Sequence, residues 1–484
     1  MIESSDTYAS ANPGLPQSTP VDSFSTVSFL LLLVTLAWLP IVKAGMMPGA
    51  LSILSIFMAA VLVFAAFSSS ESRNGQPWLI VWSVFSLCVL MHIFVIPKMF
   101  GMQRFFVNQE LGQLGDVGNT ASSSLPTLKV WIFFTIMWVT AWRVSFLTEF
   151  QISWLLKVVF LVSLFQGVFG LSHLFSDGVS VLGLWDKQYY LDDATGTFVN
   201  RNHFAGMLAI CWPIVLSGLL ASRPLLFRKQ AAAVRYGIAT LYSLIVFLAL
   251  VTSHSRMGIA AACFGFLVWS VLYVRSRRYE QSGDNRWIPW AIGLFSILFA
   301  LWFGVQDIVS RFTELENGNS RIWVWTAIFD LPSLAWIVGI GPGLFEDVFH
   351  LVQPSHQSVR FIYAHNDYLE FALEFGLLQL IVLALVFSFW IRRSFPAGNL
   401  TLRAGAIGSL AAVALHSIVD FNLQIPASAI FFWVAVGLLM NPNLVAQNDR
   451  QPPRSTHRKV KRKKQSRSAR WTKQQWISFF RSDG

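Results

Sequence analysis

The run Ala364-His365-Asn366-Asp367-Tyr368-Leu369-Glu370 sets an imidazole among polar side chains at the end of a long hydrophilic segment. An unperturbed histidine has a pKa of ~6.5 and accepts a proton near neutral pH, so His365 is a candidate general base. Its plainer reading is a structural histidine beside a helix start. Asp367 and Glu370 fit a D-x-x-E form of the capping box, which makes Asp367 the expected cap of the next helix, with Asn366 a supporting polar neighbour. Glu370 and Glu374 share one helical face, where either could orient His365 or Arg321.

Three arginines can be placed on the same side as His365. Arg201 lies in Gly196-Thr197-Phe198-Val199-Asn200-Arg201-Asn202-His203, at the entry to an apolar run. It either snorkels to an interface or, with Asn202, His203 and the amides of a helix N-terminus, cradles an anion. Arg256 lies in the short polar connection Thr252-Ser253-His254-Ser255-Arg256. The alternatives there are an anion contact and a tight hairpin capped by Ser255, with the arginine in water. Arg321 follows Ser320, the expected N-cap of a helix over 321–329 that Pro332 closes. A cation in a first helical turn opposes the macrodipole, and Glu314, Glu316 or a phosphate would each relieve that. Arginine suits phosphate because its planar fork donates two hydrogen bonds together. His416 and Asp420, four apart, share a face if their helix continues, and are read first as a polar brace between spans. A base and several guanidiniums at one membrane face suit the handling of a lipid-linked diphosphate.

Other chemistries lack their motifs. The chain has no H-E-x-x-H, no acidic metal cluster, no phosphate-binding Gly-Lys loop and no nucleophile elbow. No metal, nucleotide or other cofactor is expected.

The elements that position these groups follow from composition. The chain has 484 residues, 54% hydrophobic and 13% charged, against about 25% charged in soluble domains. It is read as an all-α polytopic membrane protein with about twelve spans, near 26–43, 49–68, 78–97, 127–142, 153–172, 204–221, 236–252, 257–274, 287–304, 376–392, 404–419 and 427–441. An even count puts both termini on one side, and basic loops near 223–235, 275–286 and 392–403 mark that side as cytoplasmic. The long segments 98–126, 173–203 and 305–375 then lie outside. The division is a membrane-embedded domain over 1–448 and a basic cytoplasmic tail over 449–484.

That tail holds 12 Lys or Arg and 2 acids, so it supplies most of the net charge of +11. Anionic lipid headgroups are its expected partner, with no nucleic acid. Cys88, Cys211 and Cys263 fall in apolar runs and are read as small buried packing residues. The polar N-terminus has no basic n-region, so the first span is expected to insert by itself.

Five segments, in this order, resemble the O-antigen ligase and Wzy-type polymerase superfamily: GTFVNRNHFAG, SHSRMG, NSRIWVW followed by GIGPGLF, AHNDYLE, and HSIVDFNLQIPA. The likeness covers roughly 190–440, and the basic tail departs from it. The resemblance implies a metal-independent, inverting glycosyltransferase of the bacterial inner membrane. It would move a glycan from undecaprenyl diphosphate to an acceptor hydroxyl at the periplasmic face. It implies Arg201, Arg256 and Arg321 as diphosphate binders and His365 as the base, with Asn202, His203, Asn366, Asp367, Glu370, His416 and Asp420 in support. The acceptor would be a glycolipid for a ligase and a growing glycan for a polymerase; some relatives glycosylate proteins. A membrane transporter is the alternative from another class. A carrier would place its polar groups near the bilayer midplane.

Overall fold

In lipid a chain satisfies its backbone as a helix or a closed barrel, and long apolar runs select the helix; helices dominate here. The computed structural model describes residues 23–68, 76–95, 120–176, 179–221, 223–279, 287–294, 319–353, 361–394 and 400–442. In chain order the helices are α1 (Ser23–Trp38), α2 (Ala50–Ala66), α3 (Gln76–Phe94), α4 (Thr120–Ser145), α5 (Glu149–Leu174), α6 (Arg201–Leu220), α7 (Ala232–Thr252) and α8 (Arg256–Tyr279). Then come α9 (Asn319–Phe329), α10 (Ser333–Val338), α11 (Phe345–Val352), α12 (Asp367–Phe375), α13 (Leu377–Ser394), α14 (Leu400–His416) and α15 (Pro426–Met440). A two-stranded hairpin joins Ser180–Val181 to Trp185–Asp186.

Five of these helices are long and apolar enough to cross a membrane, and six if the bent pair α12–α13 forms one span; five more apolar helices are shorter. Several expected bounds move for local reasons. The first helix stops at Trp38, just ahead of Pro40, and gives way to a 3-10 turn at Lys43–Gly45. Helix α5 starts at Glu149 because Thr148 and Gln151 form a reciprocal capping box. Of the expected span 287–304, only 287–294 is described. The tail beyond 442, most of 98–126, and Glu314 and Glu316 also lie outside the described residues.

Helix α6 is buried from His203 to Leu220. Around it pack α5, α7, α8, α14 and α15. Close approach of α8 to α14 depends on a pair of glycines. A Cβ on Gly265 would lie 2.6 Å from the Gly408 carbonyl, and one on Gly408 would lie 2.7 Å from that of Gly265. Small residues at such a crossing allow the van der Waals contact that joins helices in lipid. Gly265→Val is therefore expected to destabilise the bundle by about 1–3 kcal/mol. A lowered melting temperature in detergent would register it, and Gly237→Ala, where a Cβ meets nothing within 4 Å, is the matched control.

Cys88 and Cys211 are buried as the sequence implies, whereas Cys263 sits on the exposed surface of α8. A second cluster, distinct from the bundle core, joins α9, α10 and α11 through Val324, Ile328, Ala335, Phe345 and Phe349.

Candidate active site

One end of the bundle gathers the start of α6, the α7–α8 turn, the stretch 361–370 and the stretch 416–424. The approach to α6 is pinned from below. Gln166 of α5 donates to Thr197 Oγ1 at 2.7 Å and accepts from the Thr197 amide at 3.0 Å. Thr197 Oγ1 in turn donates to the Pro40 carbonyl at 2.6 Å. Asn200 caps α6, its side chain accepting from the Asn202 amide at 2.8 Å.

Arg201, first residue of α6, is held by an acid that the motif reading did not single out. Its Nη1 lies 2.8 Å from Asp193 Oδ2, and the guanidinium rests 5.2 Å from the Tyr190 ring centroid. Asp193 Oδ1 lies 2.6 Å from Nδ1 of His254, in the α7–α8 turn. The Lys187 ammonium donates to the Asp193 carbonyl at 3.2 Å. Burial by itself would raise the Asp193 pKa. The His254 hydrogen bond and the Arg201 charge outweigh it and keep the carboxyl below its ordinary range. Arg201 thus neither snorkels alone nor offers bare helix amides. It is a fixed fork with only Nη1 engaged among the described residues.

The α7–α8 turn is tied to α6. Ser255 Oγ donates to Asn202 Oδ1 at 2.8 Å and accepts from the Gly258 amide at 3.2 Å, so Ser255 caps α8, as in the hairpin alternative. This bond sets half-buried Arg256, first residue of α8, beside the start of α6.

His203, one turn-face away from Arg201, points to the other side. Its Nε2 lies 3.6 Å from Asp420 Oδ1, and His416 Nε2 lies 3.7 Å from Asp420 Oδ2. Helix α14 ends at His416, so the His416–Asp420 contact is made across a turn rather than along a continued helix. Phe421 carries the ring contacts of the group. His203, His365 and Tyr363 meet it at centroid distances of 4.6, 5.0 and 4.2 Å. Burial would raise Asp420, but His203, then His416 and Arg321, hold it well below the carboxylate range.

His365 has φ of +52°, a left-handed conformation uncommon outside glycine. The surrounding hydrogen bonds impose it. Trp325 Nε1 donates to the Ala364 carbonyl at 2.9 Å, and the Ala364 amide donates to Glu370 Oε2 at 2.7 Å. Three sequence expectations change here. Asn366, not Asp367, caps α12, its side chain accepting from the Leu369 amide at 3.0 Å. Asp367 is fully buried and accepts from Ser417 Oγ at 2.8 Å and the Leu423 amide at 3.3 Å. Glu370 accepts from Gln424 as well as Ala364, and Glu374 accepts from the Phe345 amide. Among the described residues no hydrogen bond or ion pair joins either glutamate to His365 or Arg321; Glu370 instead holds the Ala364 amide next to His365. A fourth change concerns Ser320, which lies inside the first turn of α9 instead of preceding it.

Burial lowers the His365 pKa to about 4, and the Arg321 charge adds to the effect while Asp420 opposes it. The imidazole is therefore neutral at neutral pH, with a free lone pair. Among the described residues its Nδ1 has no hydrogen-bond partner, and neither do His203 Nε2, both His416 ring nitrogens, Asp420 Oδ2 and the Asn422 side-chain amide atoms. Buried polar atoms without protein partners, collected at one point, equip a site to bind a polar ligand. Beside Tyr363 and Gln424 opens a mainly apolar groove of about 460 Å³, reaching Met46, Leu51, Phe133 and Lys129. No group of three or more His, Cys, Asp or Glu positioned for a metal occurs among the described residues.

The site is thus that of a multi-helix membrane protein with a neutral imidazole, a carboxylate and arginines at one end of its bundle. Residues 241–384 match the family described as O-antigen ligase. The match covers just under a third of the chain and supports its likeness to the O-antigen ligase and Wzy superfamily. Arg256, Arg321 and His365 fall within the matched segment; Arg201, His203, His416 and Asp420 lie outside it. No curated protein matches the chain.

Proposed function

We propose that the protein transfers a glycan from undecaprenyl diphosphate to an acceptor hydroxyl, as an O-antigen ligase of the bacterial inner membrane. The supporting observation is the cluster of His365, His203, His416 and Asp420 about Phe421, at the bundle end where Arg201 and Arg256 begin their helices. In this reading the bundle has twelve spans, both termini are cytoplasmic and the site faces the periplasm. Arg201, Arg256 and Arg321 hold the diphosphate. The acceptor oxygen attacks the anomeric carbon, His365 takes its proton, and the bond to the diphosphate breaks on the opposite face, inverting the centre. Diphosphate leaves readily, and guanidinium groups stabilise the charge that grows on it, so neither metal nor nucleotide takes part. An anion on Arg321 would offset the charge that depresses His365, making the imidazole more basic once donor is bound. The apolar groove beside Tyr363 offers room for a lipid chain.

A Wzy-type polymerase would use the same groups with a growing glycan as acceptor. Nothing in the fold or the family match favours a carrier. Purified protein given undecaprenyl-diphosphate-linked glycan with either a lipid A-core acceptor or a second lipid-linked repeat separates the readings. Transfer to lipid A-core with anomeric inversion, undiminished by a chelator, is expected. Product only from the lipid-linked acceptor makes it a polymerase, and no product from either refutes the proposal.

A further inference from the structure

The opposite end of the bundle carries a second pocket. Its volume is about 710 Å³, and its walls come from the start of α5 and the 225–230 connection that follows α6. The 20 residues of α6 separate it from the candidate active site, a distance of roughly 30 Å at 1.5 Å per residue.

This pocket is built rather than incidental. Ser153 of α5 donates to the Leu225 carbonyl at 2.8 Å, and the amides of Leu225 and Leu226 both donate to the Gly218 carbonyl. Leu226 is fully buried, so the connection is anchored in the bundle. Phe227 is held at φ of +49°, which a bulky side chain seldom adopts, with its ring edge-on to Phe160.

Its charge is lopsided. Glu149 pairs with Arg228 at 3.1 Å, leaving Lys157 and Lys229 without a carboxylate among the described residues. Lys157 lies within a helix long and apolar enough to cross a membrane, its ammonium 3.8 Å from the Trp154 ring centroid. An ionisable group at such a position calls for a partner. Phe150 and Trp154, 71% and 44% exposed, continue the same helix face as an aromatic surface of the kind found at bilayer interfaces. Cations in a pocket whose rim runs into exposed aromatic surface match a ligand with a phosphate at one end and hydrocarbon at the other.

We propose that this pocket binds an anionic phospholipid, its phosphate on Lys157 and Lys229 and its acyl chain along Phe150 and Trp154. The site is independent of the transfer chemistry. It differs from general attraction to basic loops because it needs two particular lysines.

Native mass spectrometry of the full-length protein, solubilised from phosphatidylcholine membranes with and without phosphatidylglycerol, tests it. Wild type should retain phosphatidylglycerol in preference to phosphatidylcholine. The Lys157→Gln/Lys229→Gln variant should bind it on the order of tenfold or more weakly. Lys229→Glu, at an exposed position, should also lose lipid without unfolding the bundle, and Arg392→Gln, an exposed cation at the far end of α13, should not. Retention by both lysine variants would overturn the proposal. So would equal loss in Arg392→Gln, the mark of general surface attraction, or displacement of the lipid by inorganic phosphate, the mark of a soluble anion.

Discussion

Replacing His365 with alanine is expected to leave the protein folded and able to bind donor, yet slow glycan transfer by about 10²–10⁴-fold, the range of a lost general base. Its side chain makes ring contacts with Phe361 and Phe421 but, among the described residues, no hydrogen bond through Nδ1. The bonds that shape this stretch belong to Ala364 and Asn366, so the loop keeps its frame when the imidazole goes. Turnover by the purified variant at saturating donor is the decisive measurement. Full activity would remove His365 from the mechanism. The acid limb of kcat/KM carries a second signature, because it reports the base in the free enzyme. With His365 lowered to about 4, its neutral, active form persists well below the pH at which an ordinary histidine becomes protonated. Activity should fall only as the pH drops toward that value.

Arg321→Ala is expected to reduce transfer by roughly 10²–10³-fold, the cost of one donor aimed at developing charge. Arg321→Lys should recover only part of it, since an ammonium lacks the planar fork. The variant also makes a directional claim. Arg321 helps to hold His365 down, so Arg321→Gln should move the acid limb upward, narrowing the active range from the acid side. A phosphate-binding arginine remote from His365 would reduce rate without moving that limb. The pair of measurements thus tests the proximity of the two groups as well as the role of each.

Much of this arrangement was legible in the residues because membrane insertion restricts the choices. Apolar runs had to be helices, and polar clusters at their ends had to meet at a surface. His365, His203 and Asp420 gather about Phe421, and each lay in a polar run flanking an apolar one. The Asp193–His254–Arg201 group was harder to foresee. Asp193 lies eight residues before Arg201 in an irregular loop, and His254 comes from a different connection, so no periodicity links them. An acid beside one of the few basic residues outside the basic loops was the available signal. Capping was misassigned at α12 because Asn and Asp stand side by side there, and both suit that position. Only the burial of Asp367 against Ser417 and Leu423, contacts 50 and 56 residues away, settles which one caps. The aromatic centre at Phe421 had no signature at all, since 42 phenylalanines compete for notice.

The bend between α12 and α13 measures 109°. It turns at Gly376, whose φ is +76° and whose Cα passes so close to Gly339 that a Cβ on either would strike the other's backbone. Helix α12 therefore lies across the bundle end like a lintel, and it is fastened there by Ser417, Leu423 and Gln424. Those fastenings emerge from the ribosome some fifty residues after His365 itself. A nascent chain halted near residue 400 would still lack the partners that fasten α12, so on the proposed mechanism competence for transfer would arrive among the last events of biogenesis.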